Sequence, residues 1–330
     1  MRAAFIRHTG PVENLVVAEL PDPEPGPGQA LVRVRAAAVN PIDTYVRSGA
    51  VAMDLPSPFV VGCDLAGDVA AVGPGVADLR PGDRVWGSNQ GLLGRQGTFA
   101  ELAAVDACWL YPLPDGVSYE SAAASALVGL TAQLGLAEHA GLTRGETLFV
   151  NGGSGGVGSV VVQLAKAAGA RVVVATGGRD KVDYCRGLGA DAAIDYTHQN
   201  VGAELARLAP QGVDVWWETS RAPCLSTAVH ALAPRGRLVL MAGRDARPEF
   251  PIGPFYAKCC KALGFVMFLE SPDVQRRAAE TINGRLAAGQ LAVPIAHCGP
   301  LEETPALHHW QHAHTVLGER PLRGKLLVAP

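Results

Sequence analysis

Thr147-Leu148-Phe149-Val150-Asn151-Gly152-Gly153-Ser154-Gly155-Gly156-Val157-Gly158 leads directly into Ser159-Val160-Val161-Val162-Gln163-Leu164-Ala165-Lys166. The first apolar run reads as a strand, and the second keeps a helical apolar period. Between them Gly153, Ser154, Gly155, Gly156, Val157 and Gly158 supply the spacing Gly-x-Gly-x-x-Gly. The first glycine turns the chain, the second admits backbone close to a pyrophosphate, and the third seats the helix on its strand. Phosphates then rest on N–H groups at the start of the helix. The spacing therefore predicts a dinucleotide site.

The next strand, Arg171-Val172-Val173-Val174-Ala175, runs out at Thr176-Gly177-Gly178-Arg179-Asp180-Lys181. An NAD site ordinarily carries Asp or Glu at that strand end, where it accepts the ribose 2′-hydroxyl. Here the position is Ala175 or Thr176, and Asp180 comes too late. Arg179 and Lys181 suit a 2′-phosphate, whose charge a carboxylate would repel. Taken alone the pair reads as solvated charges on an exposed turn, but the missing acid tips the balance, and NADPH is the expected cofactor.

The chain has 330 residues, 48% hydrophobic and 18% charged, which suits a globular protein of two domains. Its net charge of −3 argues against nucleic acid, and no apolar run is long enough for a membrane partner. The opening Met1-Arg2-Ala3-Ala4-Phe5-Ile6-Arg7 is broken by arginine and reads as a strand, not a signal peptide. Seven scattered cysteines fit reduced thiols and a cytoplasmic location.

The first hundred residues hold short β-like runs, such as Ala30–Ala36 and Asp68–Val72, punctuated by Pro/Gly turns. That pattern predicts a β-rich barrel-like unit. From about Tyr119, strands at Leu148–Val150, Arg171–Ala175, Ala192–Asp195, Val213–Glu218 and Arg237–Ala242 alternate with helical segments. This predicts an α/β fold with a doubly wound parallel sheet. A strand-like run at Ala262–Phe268, a polar helix and a last strand at Lys325–Val328 follow.

Several segments together resemble the zeta-crystallin-type quinone oxidoreductases of the medium-chain dehydrogenase/reductase superfamily. They are Val39-Asn40-Pro41-Ile42-Asp43-Thr44-Tyr45-Val46-Arg47-Ser48-Gly49, Gly62-Cys63-Asp64-Leu65-Ala66-Gly67, Pro81-Gly82-Asp83-Arg84-Val85 and the glycine turn. Leu188-Gly189-Ala190-Asp191 and Gly324-Lys325 follow in the family's order, so the resemblance runs nearly end to end. It implies a GroES-like catalytic domain over 1–118 and 270–330, a Rossmann NADPH-binding domain over 119–269, and an active site in the cleft between them. It also implies a homodimer formed through the Leu263–Phe268 edge.

The resemblance bears on metal as well. Zinc members of the superfamily carry Cys where this chain has Asn40, His-Glu where it has Cys63-Asp64, and a second Cys near Leu127. A catalytic zinc needs about three protein ligands, so none is expected, and Cys63 reads as a packed core thiol. The acceptor expected without a Lewis acid is already electron-poor: a quinone or an α,β-unsaturated carbonyl. An enoyl-thioester or 2-alkenal reductase, or a nucleotide-binding protein with little turnover, are the competing readings.

By position in the family, Asn40 and Tyr45 are the candidate catalytic pair, Asn40 also serving the nicotinamide ribose. Asp43 either joins them or caps the following helical turn, and Arg47 reads as a structural charge. Thr131 is implied near the nicotinamide, and Lys325 near the nicotinamide or a phosphate. The resemblance implies Lys181 and Tyr196 flanking the adenosine 2′-phosphate; Arg179 joins them on charge grounds, and Gly177 is expected at the cofactor. Ser220, Gly243 and Arg244 approach from the other side, with Val266 and Phe268 at the nicotinamide end. His308 and His312, four apart within Leu307–His314, could form a metal pair, but without a third ligand they read as part of an exposed helix.

Overall fold

The structure is a computed structural model describing residues 1–319 and 322–330. Its compact units are Met1–Leu127 with Ala279–Pro330, and Val128–Ala278. The expected boundaries at 118/119 and 269/270 fall slightly earlier in sequence, because both crossings are made inside long helices.

The first unit begins with β1 (Arg2–Ile6), β2 (Val16–Glu19) and β3 (Gln29–Val39), followed by α1 (Pro41–Ser48). Then come β4 (Phe59–Val60), β5 (Leu65–Val72), β6 (Arg84–Gly87), β7 (Leu102–Asp106) and β8 (Leu110–Pro112). Helix α2 (Tyr119–Leu134) carries the chain onward. The second unit alternates β9 (Thr147–Asn151), α3 (Gly156–Ala167), β10 (Arg171–Thr176), α4 (Arg179–Gly187), β11 (Ala192–Asp195) and α5 (Val201–Leu208). It continues with β12 (Val213–Glu218), α6 (Leu225–Ala231), β13 (Leu232–Leu240), α7 (Ile252–Ala257) and β14 (Lys261–Gly264). Helix α8 (Pro272–Ala287) returns the chain to the first unit, which ends with β15 (Ile295–Pro300), α9 (Thr304–His312) and β16 (Lys325–Ala329).

Unit one is built on short, mostly antiparallel strands, in the sheet orders β2-β1-β4 and β15-β16-β3-β5-β6-β8, with β7 also on β3. Strand β3 is its spine. Val32, Val34 and Ala36 to Val39 are buried along it, while Arg33 and Arg35 point outward, as period-2 alternation requires. The C-terminal β16 lies antiparallel to β3, with Leu326 opposite Val39 and Val328 opposite Ala37. The last residues of the chain are thereby brought to the start of α1.

Unit two holds six strands ordered β11-β10-β9-β12-β13-β14, with every described pairing parallel. Right-handed crossovers put helices on the faces of such a sheet, so the central strands read as continuous apolar runs. Phe149, Val173, Trp216 and Leu238 pack with Leu205, Leu225 and Ala228 in one core. The strand order reverses between β9 and β12, the position at which ligands bind beyond the carboxyl ends of such strands.

Two expectations need correction here. The run Ala262–Phe268 is not one strand: β14 stops at Gly264, and Met267–Leu269 form a 3-10 turn. Among the described residues edge strand β14 has a single neighbour, β13, so pairing ends where β13 ends, at Leu240 opposite Gly264. The exposed-helix reading of Leu307–His314 also fails for His308, which is fully buried. Helix α9 turns His308 inward, and its ring meets Phe99 edge-on at 5.6 Å.

Candidate functional site

Unit one gathers its polar residues at the junction of β3 and α1. The backbone N–H of Asn40 donates to Asp43 Oδ2 at 2.7 Å, the reciprocal half of a capping box. The N–H of Asp43 goes to the backbone carbonyl of Asn40 at 3.1 Å, leaving the Asn40 amide free for other partners. Its Nδ2 donates to Asp64 Oδ2 at 2.8 Å and to the Ala38 carbonyl at 3.1 Å. Its Oδ1 accepts from the Lys325 ammonium. Ser88 Oγ donates to Asp64 Oδ1 at 2.6 Å and stands 3.4 Å from Cys63 Sγ. Asn40, Asp43, Cys63, Asp64, Ser88 and Lys325 are all buried.

Burial governs the ionisation of this cluster. It pushes the Asp64 carboxyl up against the opposing pull of Lys325, Ser88 and Asn40. It pushes Asp43 up to about 8 despite the N–H groups of Asn40 and Cys63 that face it. Burial lowers Lys325, while the facing carboxylates of Asp64 and Asp43 raise it. The Cys63 thiol is held well above its ordinary value by burial and the same two carboxylates. Cys63 is therefore a protonated, packed thiol and not a nucleophile. Tyr45, one turn into α1, is half-buried.

Unit two places its candidate residues along the carboxyl ends of parallel strands. The turn Gly152–Gly155 joins β9 to α3, which starts at Gly156 with Gly155 as its cap. A Cβ on Gly158 would run into the backbone carbonyl of Gly152, so the third glycine allows the close approach that its spacing implies. Ser154 Oγ and Thr176 Oγ1 lie 2.6 Å apart, bracing the turn against the end of β10. Thr176, buried at that strand end, stands where an NAD site carries its acid.

Gly177 and Gly178 follow, with Gly178 at φ +90°, and Arg179 and Lys181 occupy the exposed first turn of α4. Tyr196 follows β11 and lies over Gly177, where any Cβ would meet its ring. Asp195 accepts the Gly178 N–H at 2.9 Å and fixes that turn. Ser220 follows β12, Gly243 (φ +75°) and the exposed Arg244 follow β13, and Val266 and Phe268 follow β14. Thr131 is buried on α2.

Lys325 belongs to the Asn40 cluster, where its ammonium is taken up by the Asn40 amide. Asp64 and Ser88 were not among the expected site residues. Their relevance comes from partners distant in sequence, and only the Cys63-Asp64 pair gave any signal. Glu218 was missed as well. It closes the switch between β9 and β12 by accepting both contacts of Asn151 Nδ2 (2.9 and 3.0 Å), Trp216 Nε1 (3.1 Å) and the Ser220 N–H (2.7 Å).

A β-rich GroES-like unit and a glycine-turn Rossmann sheet together define a medium-chain dehydrogenase/reductase. Residues 26–115 match the alcohol dehydrogenase GroES-like domain, and residues 156–283 match the zinc-binding dehydrogenase domain. The quinone oxidoreductase of Pseudomonas aeruginosa is 32% identical over 339 residues, covering 100% of this chain and 99% of that protein. The chain belongs to this quinone oxidoreductase family. The chloroplastic NADPH-dependent alkenal/one oxidoreductase of Arabidopsis thaliana is 37% identical over 243 residues, 72% of this chain and 60% of that one. A crystal structure described as an NAD-dependent alcohol dehydrogenase superposes with a TM-score of 0.89 at 32% identity, covering both chains fully.

The zinc in the domain's description does not fit the residues here. A catalytic zinc needs about three converging lone-pair donors. Asn40 instead points its N–H bonds at Asp64 and Ala38, and the Asp64 oxygens already accept from Asn40 and Ser88. The Cys63 thiol holds its proton, and a lysine ammonium occupies the same cluster. Among the described residues no group of three or more His, Cys, Asp or Glu side chains is arranged to hold a metal ion. A dinucleotide, by contrast, fits unit two, where the glycine turn opens onto the N-terminus of α3.

Proposed function

We propose that the chain is a zinc-independent, NADPH-dependent oxidoreductase that transfers hydride to quinones or α,β-unsaturated carbonyls. The observation that carries the cofactor assignment is the end of β10. Thr176 replaces an acid there, and Arg179 and Lys181 stand in the first turn of α4. Cations are unfavourable at the positive end of a helix. Arg179 and Lys181 flank Asp180 in that turn and leave it a net positive charge, which suits a site completed by an anion, and a ribose 2′-phosphate supplies it.

NADPH, when bound, supplies the hydride. The residues Gly153 to Gly158 would hold its pyrophosphate, Arg179, Lys181 and Tyr196 would hold its 2′-phosphate, and Thr131, Ser220, Gly243, Arg244, Val266 and Phe268 would serve its remaining length. Tyr45 donates a hydrogen bond to the acceptor's carbonyl oxygen as charge develops there, and solvent completes the protonation. Asn40 keeps one orientation because each end of its amide faces a group of opposite demand: Asp64 at Nδ2 and Lys325 at Oδ1. Asp43 holds the Asn40 backbone. This constellation offers hydrogen bonds and no Lewis acid, which suits an acceptor already electron-poor.

A reductase of 2-alkenals or enoyl thioesters is the second reading, favoured by the likeness to the Arabidopsis alkenal/one oxidoreductase. The protein works as a cytoplasmic homodimer in this proposal. Support comes from β14, an exposed sheet edge, and from Ile252 and Tyr256, 69% and 70% exposed on the preceding α7. No described helix is long and apolar enough to cross a membrane. The test is oxidation of NADPH, with NADH alongside, against 9,10-phenanthrenequinone, 1,4-benzoquinone, a 2-alkenal and crotonyl-CoA. NADPH-selective turnover of a quinone is expected. Preference for the alkenal or thioester moves the substrate to ene reduction, and tight NADPH binding without any turnover refutes the catalytic reading.

A further inference from the structure

We propose that Lys325 supplies from within the chain the positive charge that a metal ion would supply beside Asn40, Cys63 and Asp64, and that it sets the orientation of the Asn40 amide. The proposal extends the zinc-independent reading of the same site and rests on it. The register of the last strand brings the charge there. Leu326 lies opposite Val39 in the β16–β3 pair, so one step further along each strand Lys325 meets Asn40. The ammonium then donates to Asn40 Oδ1, while Asn40 Nδ2 donates to Asp64 Oδ2 at 2.8 Å.

The chain ammonium–amide–carboxylate has one allowed polarity. Turning the Asn40 amide over would set its NH₂ against the ammonium and its oxygen against the Asp64 carboxylate, donor against donor and acceptor against acceptor. The charges on either side, together with the Ala38 carbonyl that also accepts from Nδ2 at 3.1 Å, therefore decide which end of Asn40 faces which neighbour. Lys325 also answers a need of the carboxylates. Asp64 and Asp43 are both buried, and each is costly to ionise there unless a cation shares the site. The titratable groups facing one another in this cluster are Asp43 from α1, Cys63 and Asp64 ahead of β5, and Lys325 from β16.

The test compares Lys325→Met with the double variant Lys325→Met/Asp64→Asn by thermal melting from pH 5 to 8.5, alongside the metal content of the untagged wild-type protein. Without the ammonium, the buried carboxylates prefer to be protonated in the folded state. The single variant should thus melt about 10 °C below wild type at pH 8 and recover part of that loss at pH 5. Replacing Asp64 as well removes one buried charge, so the double variant should melt higher than the single at pH 8 and show a shallower pH slope. Wild-type melting should be unchanged by EDTA.

A single variant with the wild-type pH slope, or a double variant no more stable than the single, overturns the proposal. So does failure of both variants to fold, because the second substitution should compensate the first. Stoichiometric zinc whose removal lowers the melting temperature overturns it too. These readouts require no turnover, so a failed quinone assay would refute the catalytic reading and leave this result standing.

Discussion

Replacing Arg179 and Lys181 together by alanine should move cofactor affinity and apo-protein stability in opposite directions. Both side chains are exposed in the first turn of α4, where the partial positive charge of the helix end opposes them. Removing a cation there relieves about 0.3–1 kcal/mol at low salt, so the apo-protein should melt at the same temperature or slightly higher. A 2′-phosphate reverses the sign. A charge-assisted bond to an exposed dianion, discounted for solvent screening, is worth about 1 kcal/mol per side chain. Two of them sum to about 2 kcal/mol, or about a 30-fold rise in the NADPH dissociation constant. NADH, with a hydroxyl at that position, should bind as before. Titration by nucleotide fluorescence at low and high salt, with a melting curve of the apo-variant, reads all three quantities. An unchanged NADPH-to-NADH ratio would refute the phosphate assignment. A clear fall in apo stability would instead show the two side chains to be structural.

Three further perturbations follow from the geometry. Gly158→Ala drives a Cβ into the Gly152 carbonyl, so the turn must open; NADPH affinity should fall at least tenfold, measured by the same titration. Glu218→Gln turns an NH₂ towards donors from Asn151, Trp216 and Ser220, and should cost about 2 kcal/mol of stability in denaturant unfolding. His308 is buried with neither ring nitrogen hydrogen-bonded among the described residues, and burial and the neighbouring Arg47 hold it down to about 3. The unfolded chain takes up a proton below about pH 6.5 that the folded protein refuses, so His308 costs stability as the pH falls from there towards 3. His308→Leu should therefore be neutral or stabilising at pH 7 and flatten the decline in melting temperature between pH 6.5 and 5. A steeper decline would show that the imidazole is protonated in the fold.

How much of this was legible beforehand depends on the range of each interaction. The glycine turn, the strands around it and the missing acid at the end of β10 are read from neighbours along the chain. Backbone sterics and apolar periodicity act over a few residues, and a parallel sheet repeats them. The short strands of the first unit were legible from their Pro/Gly punctuation for the same reason. Strand Ala262–Phe268 was overextended because apolar character continues past the point where β13 stops offering a partner. The inward turn of His308 was missed because a histidine gives no apolar signal of its own, and the buried face of α9 is chosen by what lies beneath it.

The amino-acid sequence by itself determined the two-part α/β and β-rich architecture, the dinucleotide turn and the shortage of zinc-ligand residue types at Asn40 and Cys63. All of these depend on local pattern or on which side chain is present. Tertiary structure alone decided that Lys325 meets Asn40 across the β16–β3 pair, that Asp64 and Ser88 join them, and that Glu218 bridges β9 and β12 through Asn151. Sheet register sets those meetings, and register is a property of paired strands. Burial then sets the charges, since removing water changes which protonation state each group prefers.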